Sequence, residues 1–580
     1  MNKGGLFGGG DPEDQKRMLM AVALSAAILI GWSVLFPSTP PVKPAQPVDG
    51  TPASSAASAA ASPASAAGSV APTPAAAPIE RKIVATLDAE GRFHVDVTNA
   101  DGQLARWDLD EVQYQARDDK GEPAGPYGLV APLTAESRRG IFLPPLVQVG
   151  INGEARPGDY QVVSKAGDRV QLRWTDGATG LAVERTLSLR PDTYGVDVQV
   201  KLTNTGNAPV AYDLAALLRA AQNDEEASGS MFSPPLYAFE AVCRRGDDFE
   251  RMPVNAVADA LQDEDDPTRF DDGVTWAGVN SRYFMVSAPV GAAAKACEFF
   301  LGPKAAGVDP SAVPPRFTVI TTRIELGGGT LAPGASYEQT VPLYGGPKKL
   351  DVLRKREPSM ADAIDFGFFA PLSEPMLWVM RTIYKGLPNW GLAIILLTVL
   401  VKLLTLPLTH KQYKSMAGMR KVQPQLQALQ AKYKDDKVKL QQEMMALYKT
   451  HNVNPLSGCL PMLLMMPIYF ALYRTIYSAV ELYQADFFLW LKDLSQPDPY
   501  FITPVLLGVL MVVQTRLNPT TGTDATQQKI MMWVMPIMFS GMMLFLPSGL
   551  VVYIFVNTVL GLVQQLTLYK RMMPEPVAAR

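Results

Sequence analysis

The chain has 580 residues, more than one compact domain usually holds. Its formal net charge is −3, so no overall basic field points to nucleic acid. It has three cysteines, which excludes a disulfide-rich scaffold and a zinc site built from four cysteines. Charged residues make up only 19% of the chain, yet residues 80–350 have the composition of a soluble domain. The apolar residues are therefore concentrated in the C-terminal third.

The first uncharged run is residues 18–36, long enough at about 28 Å to cross a bilayer as a helix. Lys16 and Arg17 precede it, which predicts that residues 1–17 are cytoplasmic and that 18–36 is a transmembrane helix. The alternative is a cleaved signal peptide. The run is longer than a usual signal core, and Pro37 follows it without a small-x-small cleavage site.

Residues 37–80 are almost entirely Pro, Ala and Ser, which predicts an extended linker. From 81 to 358 the hydrophobic period is two. Apolar and polar residues alternate at Gly195–Asn204, at Phe93–Thr98 and at 170–174. These patterns predict an all-β domain, a large sandwich of antiparallel strands.

Two features of this β domain bear on chemistry. Cys243 and Cys297 both lie in it, and we expect them to be two free buried thiols. The alternative is that they form a disulfide, which requires the domain to be extracytoplasmic. The acidic stretch 263–272 lacks EF-hand spacing, so we expect a solvated loop and no metal site.

The C-terminal part is predicted to be a helical membrane core. An amphipathic stretch, 361–386, predicts a helix lying in the membrane interface. Five apolar runs predict transmembrane helices at 390–409, 456–477, 500–517, 528–546 and 550–569. They are separated by 410–455, 478–499 and 518–527, and the tail is 570–580.

The charges of the loops predict the topology. Residues 410–455 hold nine Lys or Arg and three acids, whereas 478–499 hold one Lys and four acids. By the positive-inside rule, 410–455, 518–527 and the tail are cytoplasmic, and the β domain is periplasmic. Apolar residues recur every three or four positions in 410–455, which predicts a cytoplasmic helical hairpin.

The sequence has no Walker A, H-E-x-x-H or G-x-S-x-G motif. Its most informative residue is Lys402, deep within the run 390–409, because a lysine near mid-bilayer costs about 2.5–3.5 kcal/mol. Thr398 and Thr405 share its helix face. We predict a hydrated cavity lined by these three residues and by Tyr553, Asn557 and Gln514. The alternative for Lys402 is that its long side chain reaches the membrane interface and places the amine there. The alternative for Asn557 is an ordinary hydrogen bond between helices.

Local sequences in this part resemble the YidC membrane insertases of Gram-negative bacteria, relatives of the Oxa and Alb proteins. The matching segments are NWG at 389–391, YKSMAGM at 413–419, QEMMALYK at 442–449, NPL at 454–456, MPI at 466–468 and FLPSGL at 545–550. They occur in order and densely over 385–570. The β domain resembles the family's periplasmic domain by position and size.

The resemblance implies an insertase and chaperone for newly made inner-membrane proteins that acts alone or with the Sec translocon. It implies a β-supersandwich, and a five-helix core with a hydrophilic groove open to cytoplasm and lipid. It also implies nascent membrane proteins, the ribosome or signal-recognition pathway, and membrane lipids as partners. We expect no enzyme activity, nucleotide hydrolysis, cofactor or direct nucleic-acid contact. The hairpin residues expected to make contacts are Met416, Met419, Arg420 and Lys421.

The chain departs from the family pattern at two positions. Lys402 occupies the place of the family's usual groove arginine, which keeps the charge but loses the bidentate fork. Ile554 occupies the place of a groove tyrosine, with Tyr553 beside it. Two other functions stay open: a solute transporter or channel, and an envelope enzyme acting on sugars. The single deep charge and the lack of an inverted repeat argue against transport.

Overall fold

The computed structural model describes residues 79–117, 123–134, 136–137, 139–227, 238–263, 267–303, 308, 310–433, 436–451, 460–517 and 530–572. The predicted first span, 18–36, nearly all of the linker 37–80, and the loop 518–527 lie outside these residues.

Two large sheets form the β domain. The ten-stranded sheet contains β1 (Ile83–Asp88), β2 (Phe93–Thr98), β3 (Leu104–Leu109), β6 (Tyr127–Val130), β7 (Ile141–Ile151), β8 (Glu154–Ala155), β13 (Val210–Asn223), β16 (Arg269–Asp271), β19 (Ala296–Leu301) and β20 (Phe317–Leu331). The nine-stranded sheet contains β9 (Gln161–Ala166), β10 (Arg169–Thr175), β11 (Leu181–Arg190), β12 (Gly195–Asn204), β14 (Glu240–Arg245), β15 (Asp248–Pro253), β17 (Val274–Asn280), β18 (Phe284–Ala288) and β21 (Ser336–Pro347). A small separate sheet pairs β4 (Ala116–Arg117) with β5 (Pro123–Gly125).

The strand order follows chain neighbours only in part. The first sheet runs β1-β2-β3-β6-β7-β13-β20-β19-β16, with β8 beside β7, and the second runs β15-β14-β17-β18-β21-β12-β11-β10-β9. Among the described strands, only β6 and β7 pair in parallel. The long central strands β13 and β20 pair with each other, although they are about a hundred residues apart in sequence.

The period-two pattern explains these strands. The predicted strand at Gly195–Asn204 is β12, and the predictions at Phe93–Thr98 and 170–174 are β2 and part of β10. Every second residue of β12 from Val196 onward is buried, because alternate side chains point into the core. The prediction of a β domain followed by a helical region is therefore confirmed.

The prediction of two free thiols is wrong, because Cys243 and Cys297 form a disulfide. Cys243 lies on β14 of one sheet and Cys297 on β19 of the other, with Cα atoms 6.6 Å apart. Both side chains are fully buried. The bond therefore joins the two sheets inside the core.

Ten helices occur among the described residues: α1 (Asp224–Ala227), α2 (Val254–Ala260), α3 (Leu350–Arg356), α4 (Ala370–Gly386), α5 (Trp390–Lys432), α6 (Lys437–Thr450), α7 (Leu460–Ser478), α8 (Ile502–Leu517), α9 (Met535–Met543) and α10 (Ser548–Met572). A π-helical turn, Ile530–Val534, leads into α9. Short 3-10 turns lie at Pro191–Thr193, Gly291–Ala293, Pro310–Ala312, Pro358–Ala363, Gly367–Phe369 and Val480–Leu482.

The interfacial helix begins later than predicted, at Ala370 and not at 361. Gly367 has φ +59°, a conformation that does not fit within a right-handed helix. Two 3-10 turns, Pro358–Ala363 and Gly367–Phe369, therefore precede α4. Helix α5 differs in another way, since it runs from the predicted span into the hairpin without a break. Its N-terminus is capped by Asn389, whose side chain accepts a hydrogen bond from Leu392 N at 3.0 Å.

In the described part of the helical region, two segments are long and apolar enough to cross a membrane, Trp390–His410 and Ser548–Thr567. Two shorter apolar segments are Ile502–Leu517 and Met532–Met543. Beyond the first segment, the end of α5 packs on α6 through a cluster formed by Val422, Leu426, Met444, Leu447 and Tyr448. The two apolar stripes of the hairpin therefore face each other, as their spacing predicts.

Candidate functional site

Three helices bring polar residues together around Lys402. Its side chain is 8% exposed, although it carries a cation. A Cβ placed on Gly561 of α10 would lie 3.6 Å from Lys402 Nζ and 3.5 Å from Gln514 Nε2 of α8. Lys402, Gln514 and α10 thus converge on one point.

No carboxylate among the described residues interacts with the Lys402 ammonium. A buried cation without an acidic neighbour attracts water and acidic groups from outside the protein. The surrounding helices are apolar, so the field of this charge is screened less than it would be in water. The geometry therefore suits a transient acidic ligand better than a permanent ion pair.

The threonines beside Lys402 are buried, and their hydroxyl groups make hydrogen bonds within α5. Thr398 Oγ1 donates to Ile394 O at 2.7 Å, and Thr405 Oγ1 donates to Val401 O at 2.8 Å. Their hydroxyl hydrogens are thus used within α5. Thr398 and Thr405 can therefore only accept hydrogen bonds from a ligand or from water, through their hydroxyl lone pairs.

A second polar contact joins α7 to α10. Asn557 and Tyr553 of α10 both lie near Tyr469 of α7. The Tyr553 hydroxyl is buried and has no hydrogen-bond partner among the described residues. Ile554, which the resemblance places at a groove tyrosine, packs on the apolar core. Asn557 and Tyr553 therefore lie at the contact between α7 and α10.

Sequence reasoning missed Tyr469. The signal was present, because Tyr469, Tyr473 and Tyr477 recur every four residues and so share one face of α7. The hairpin residues Met416, Met419, Arg420 and Lys421 lie in α5, but their side chains are outside the described part of the structure.

The end of the site nearest the β domain is covered by the loop 479–499. Its carbonyls accept bonds from the first amides of α10: Ser548 N donates to Gln496 O at 2.7 Å and Gly549 N to Leu494 O at 2.9 Å. The same loop presses Phe487 against Gly391 of α5, where a Cβ would lie 1.9 Å from the ring. One loop thus fastens together the starts of the two helices that carry Lys402 and Gly561.

The loop also docks onto the β domain. Tyr483 packs against the rings of Tyr114, Tyr127, Tyr283 and Phe284, at centroid distances of 5.1–6.4 Å. Arg282 Nε donates to Tyr477 O at 2.8 Å, and its guanidinium lies 3.5 Å from the Tyr477 ring centroid. Arg381 of α4 pairs with the buried Glu481. The two regions therefore meet through aromatic rings and the cation–π contact of Arg282.

Two family models match the chain. Residues 146–379 match the YidC periplasmic domain, and residues 382–575 match the 60Kd inner membrane protein. The chain is thus a bacterial inner-membrane protein with a periplasmic β domain and a helical membrane region.

The relatives give the family. The chain is 37% identical to the membrane protein insertase YidC of Anaeromyxobacter dehalogenans strain 2CP-C, over 98% of this chain and 99% of the relative. It is 33% identical to that of Thiobacillus denitrificans, over 96% and 98%. The chain belongs to the YidC membrane protein insertase family. A crystal structure of an active YidC insertase matches 81% of this chain and 89% of that one, with 20% identity and a TM-score of 0.35.

The family bears on both alternative functions. Its members are named as insertases, so the expectation that the chain is not an enzyme is confirmed. The transporter or channel alternative receives no support from any of the relatives.

Proposed function

We propose that this chain inserts newly made proteins into the bacterial inner membrane through the polar site around Lys402. The observation that carries the proposal is the buried Lys402 ammonium, which faces Gln514 and Gly561 between apolar helices without a described carboxylate. A structural lysine would be expected to have a permanent partner.

The proposed topology has six spans, with both termini in the cytoplasm. The first is residues 18–36, and the others follow α5, α7, α8, α9 and α10. The basic hairpin 410–455 then lies in the cytoplasm. The periplasmic β domain lies between the first two spans, on the side where loop 479–499 covers the site.

The site would lower the main barrier to insertion, which is moving a polar tail across about 30 Å of hydrocarbon. A groove open to cytoplasm and lipid would keep that tail hydrated through the inner leaflet. Lys402 would attract the acidic groups of the tail, while Gln514 and the lone pairs of Thr398 and Thr405 would help to hold water. The apolar segment of the substrate then moves into lipid, which the hydrophobic effect favours without nucleotide hydrolysis.

The proposed partners are those that the resemblance to the family implies. Nascent membrane proteins would enter the groove, and the hairpin α5–α6, with Met416, Met419, Arg420 and Lys421, would meet the ribosome or signal-recognition pathway. The Sec translocon would contact the membrane core from the side. No cofactor, metal or nucleic acid is required by this mechanism.

The test is depletion of the protein in cells, followed by protease accessibility of a newly made small membrane protein with a short translocated tail. We expect the tail to stay protected in the cytoplasm and the wild-type gene to restore its exposure. Normal translocation in depleted cells would contradict the proposal. A soluble secreted protein followed in the same cells controls for loss of the membrane potential.

A further inference from the structure

The loop 479–499 carries an apolar tip, residues 487–491, with the sequence FFLWL and no charge. Phe488 is 53% exposed and Leu489 is 78% exposed, so these side chains point away from the protein. The rest of the loop is different, because most of its apolar residues are buried against the β domain and the helices. Two large apolar side chains at the end of an otherwise well-packed loop suggest contact with an apolar partner.

The backbone of the tip is held in a strained shape that presents these side chains. Leu489 has φ +56°, a left-handed conformation that is unfavourable for a branched residue. Two hydrogen bonds hold the turn: Phe487 N donates to Leu491 O at 2.9 Å, and Leu491 N donates to Phe488 O at 3.1 Å. Such strain persists only where the surrounding structure imposes it, and it is concentrated at functional positions.

The depth of the tip follows from its contact with α5. Phe487 packs on Gly391 in the first turn of α5, and Asn389 Nδ2 donates to Phe487 O at 3.3 Å. The tip is therefore level with the start of an apolar helix. At the same end of the helical region, exposed Tyr500 and Phe501 precede α8 and lead into its own exposed apolar face. Aromatic residues are enriched at this level, where a membrane helix meets the interface.

The charges around the tip fit a membrane surface. Asp486, just before the tip, points to the β domain, where its Oδ1 lies 3.5 Å from Arg117 Nη1. Lys492, just after it, is exposed and could meet a lipid phosphate. The apolar segment is thus bounded on one side by an ion pair to the β domain and on the other by an exposed lysine.

We propose that residues 487–491 insert into the periplasmic leaflet and bind the interfacial region of the phospholipids. The inference rests on the proposed function, because it requires α5 and α8 to cross the membrane. Phe488 and Leu489 enter the acyl boundary, and Lys492 stays at the headgroups. Since the loop also binds the β domain and the starts of α5 and α10, this anchor sets the height of all three in the bilayer.

The test places an environment-sensitive fluorophore on single cysteines of the full-length protein, in a Cys459→Ser background that keeps the buried disulfide. The labelled variants are Leu489→Cys, Val163→Cys and Leu404→Cys. Val163 is a matched water control, 56% exposed on β9, and Leu404 is a lipid control, 72% exposed on α5. Each variant is reconstituted into vesicles of phosphatidylethanolamine and phosphatidylglycerol. Quenching by spin-labelled lipid and by aqueous iodide is then measured.

We expect position 489 to be quenched by the spin-labelled lipid and shielded from iodide several-fold relative to position 163. If position 404 is in lipid but 489 behaves like 163, the inference is overturned while the membrane core stands. If 404 also behaves like 163, the proposed membrane core fails as well. Shielding of 489 from iodide without quenching by lipid would assign the tip to a second copy or another protein, and would overturn the inference.

Discussion

The carboxylate of Asp365 lies 2.9 Å from the Nη1 atom of Arg474, and this ion pair joins the segment after the β domain to helix α7. Arg251 of β15 lies 3.6 Å from the same carboxylate, and Ser478 Oγ donates to Asp365 O at 2.8 Å. Asp365 therefore contacts the β domain and the membrane core at once. Burial would raise the pKa of Asp365, but Arg474 and Arg251 lower it below its usual value.

Replacing Asp365 with Asn should weaken the contact between the two regions by about 1 kcal/mol, because the carboxylate is partly exposed. Since the folded pKa is depressed, this contribution is present above the unfolded value of 3.8 and is lost as pH falls through the folded pKa. The measurement is thermal unfolding of the purified protein in detergent near neutral pH and at a pH well below 3.8. Asp362→Asn is the control, because Asp362 pairs with Arg244 and does not reach α7.

Much of this architecture could be predicted because its signals are local. The alternation in Gly195–Asn204 gave β12 at its observed bounds, since a half-buried strand requires period two. The spacing of Thr398, Lys402 and Thr405 gave a shared helix face, and all three are buried. Such patterns depend on residues within a few positions of one another.

The missed features depend on residues far apart in sequence. Cys243 and Cys297 are 54 positions apart, and only the packing of two sheets brings them together. Asp365 and Arg474 belong to different regions, and nothing in either local sequence specifies the other. The helix start at Ala370 was missed for a different reason, because one glycine with positive φ interrupted an amphipathic pattern that continued across it.

Substitutions can separate the effect of the Lys402 charge on insertion from the effect of its side-chain size. Lys402→Met keeps a long side chain and should lower the insertion rate of substrates with acidic tails by about tenfold, whereas uncharged tails should be affected little. Lys402→Arg should retain activity on both. The measurement is protease protection in proteoliposomes, and Lys385→Met, which removes an exposed lysine of α4, is the control. Equal losses for acidic and uncharged tails would contradict a role of the charge.

The two glycines at opposite ends of the site should respond differently to alanine. In Gly391→Ala the new methyl would lie 1.9 Å from the Phe487 ring, so the loop must shift and stability should fall by about 1–3 kcal/mol. In Gly561→Ala the nearest atoms lie at 3.5 Å and 3.6 Å, an ordinary contact, so stability should be kept. Melting temperatures in one detergent compare the two variants. Equal melting temperatures would refute the close approach of Phe487.

The disulfide should stabilise the β domain by closing a long loop in the unfolded chain. For a separation of 54 residues, replacing both Cys243 and Cys297 with Ala should cost about 4 kcal/mol. Reductant alone should leave the folded wild-type protein intact, because both sulfurs are fully buried. Denaturant titrations with and without reductant measure both effects, with Cys459→Ala as control. An unchanged transition midpoint in the double variant would contradict the prediction.

Lys348 is buried where the β domain meets the segment that leads to the membrane, and its Nζ donates to Ala363 O at 3.1 Å. Burial, followed by the nearby Arg251, lowers the pKa of Lys348 to about 7. The other charged groups that act on this lysine are Glu240, Asp365 and Arg282.

Because the folded pKa lies below the unfolded value of 10.5, the unfolded chain binds more protons between these two values, and stability should rise with pH there. Relative to Lys348→Met, the wild-type free energy of unfolding should increase by about 2–3 kcal/mol from about pH 7.5 to about pH 9.5. Denaturant titrations of the full-length protein in detergent at several pH values measure this difference. Lys349→Met is the control, because Lys349 is partly exposed and lies 3.3 Å from Glu111. A pH-independent difference between wild type and Lys348→Met would mean that Lys348 is already charged in the folded protein, held by Glu240 and Asp365.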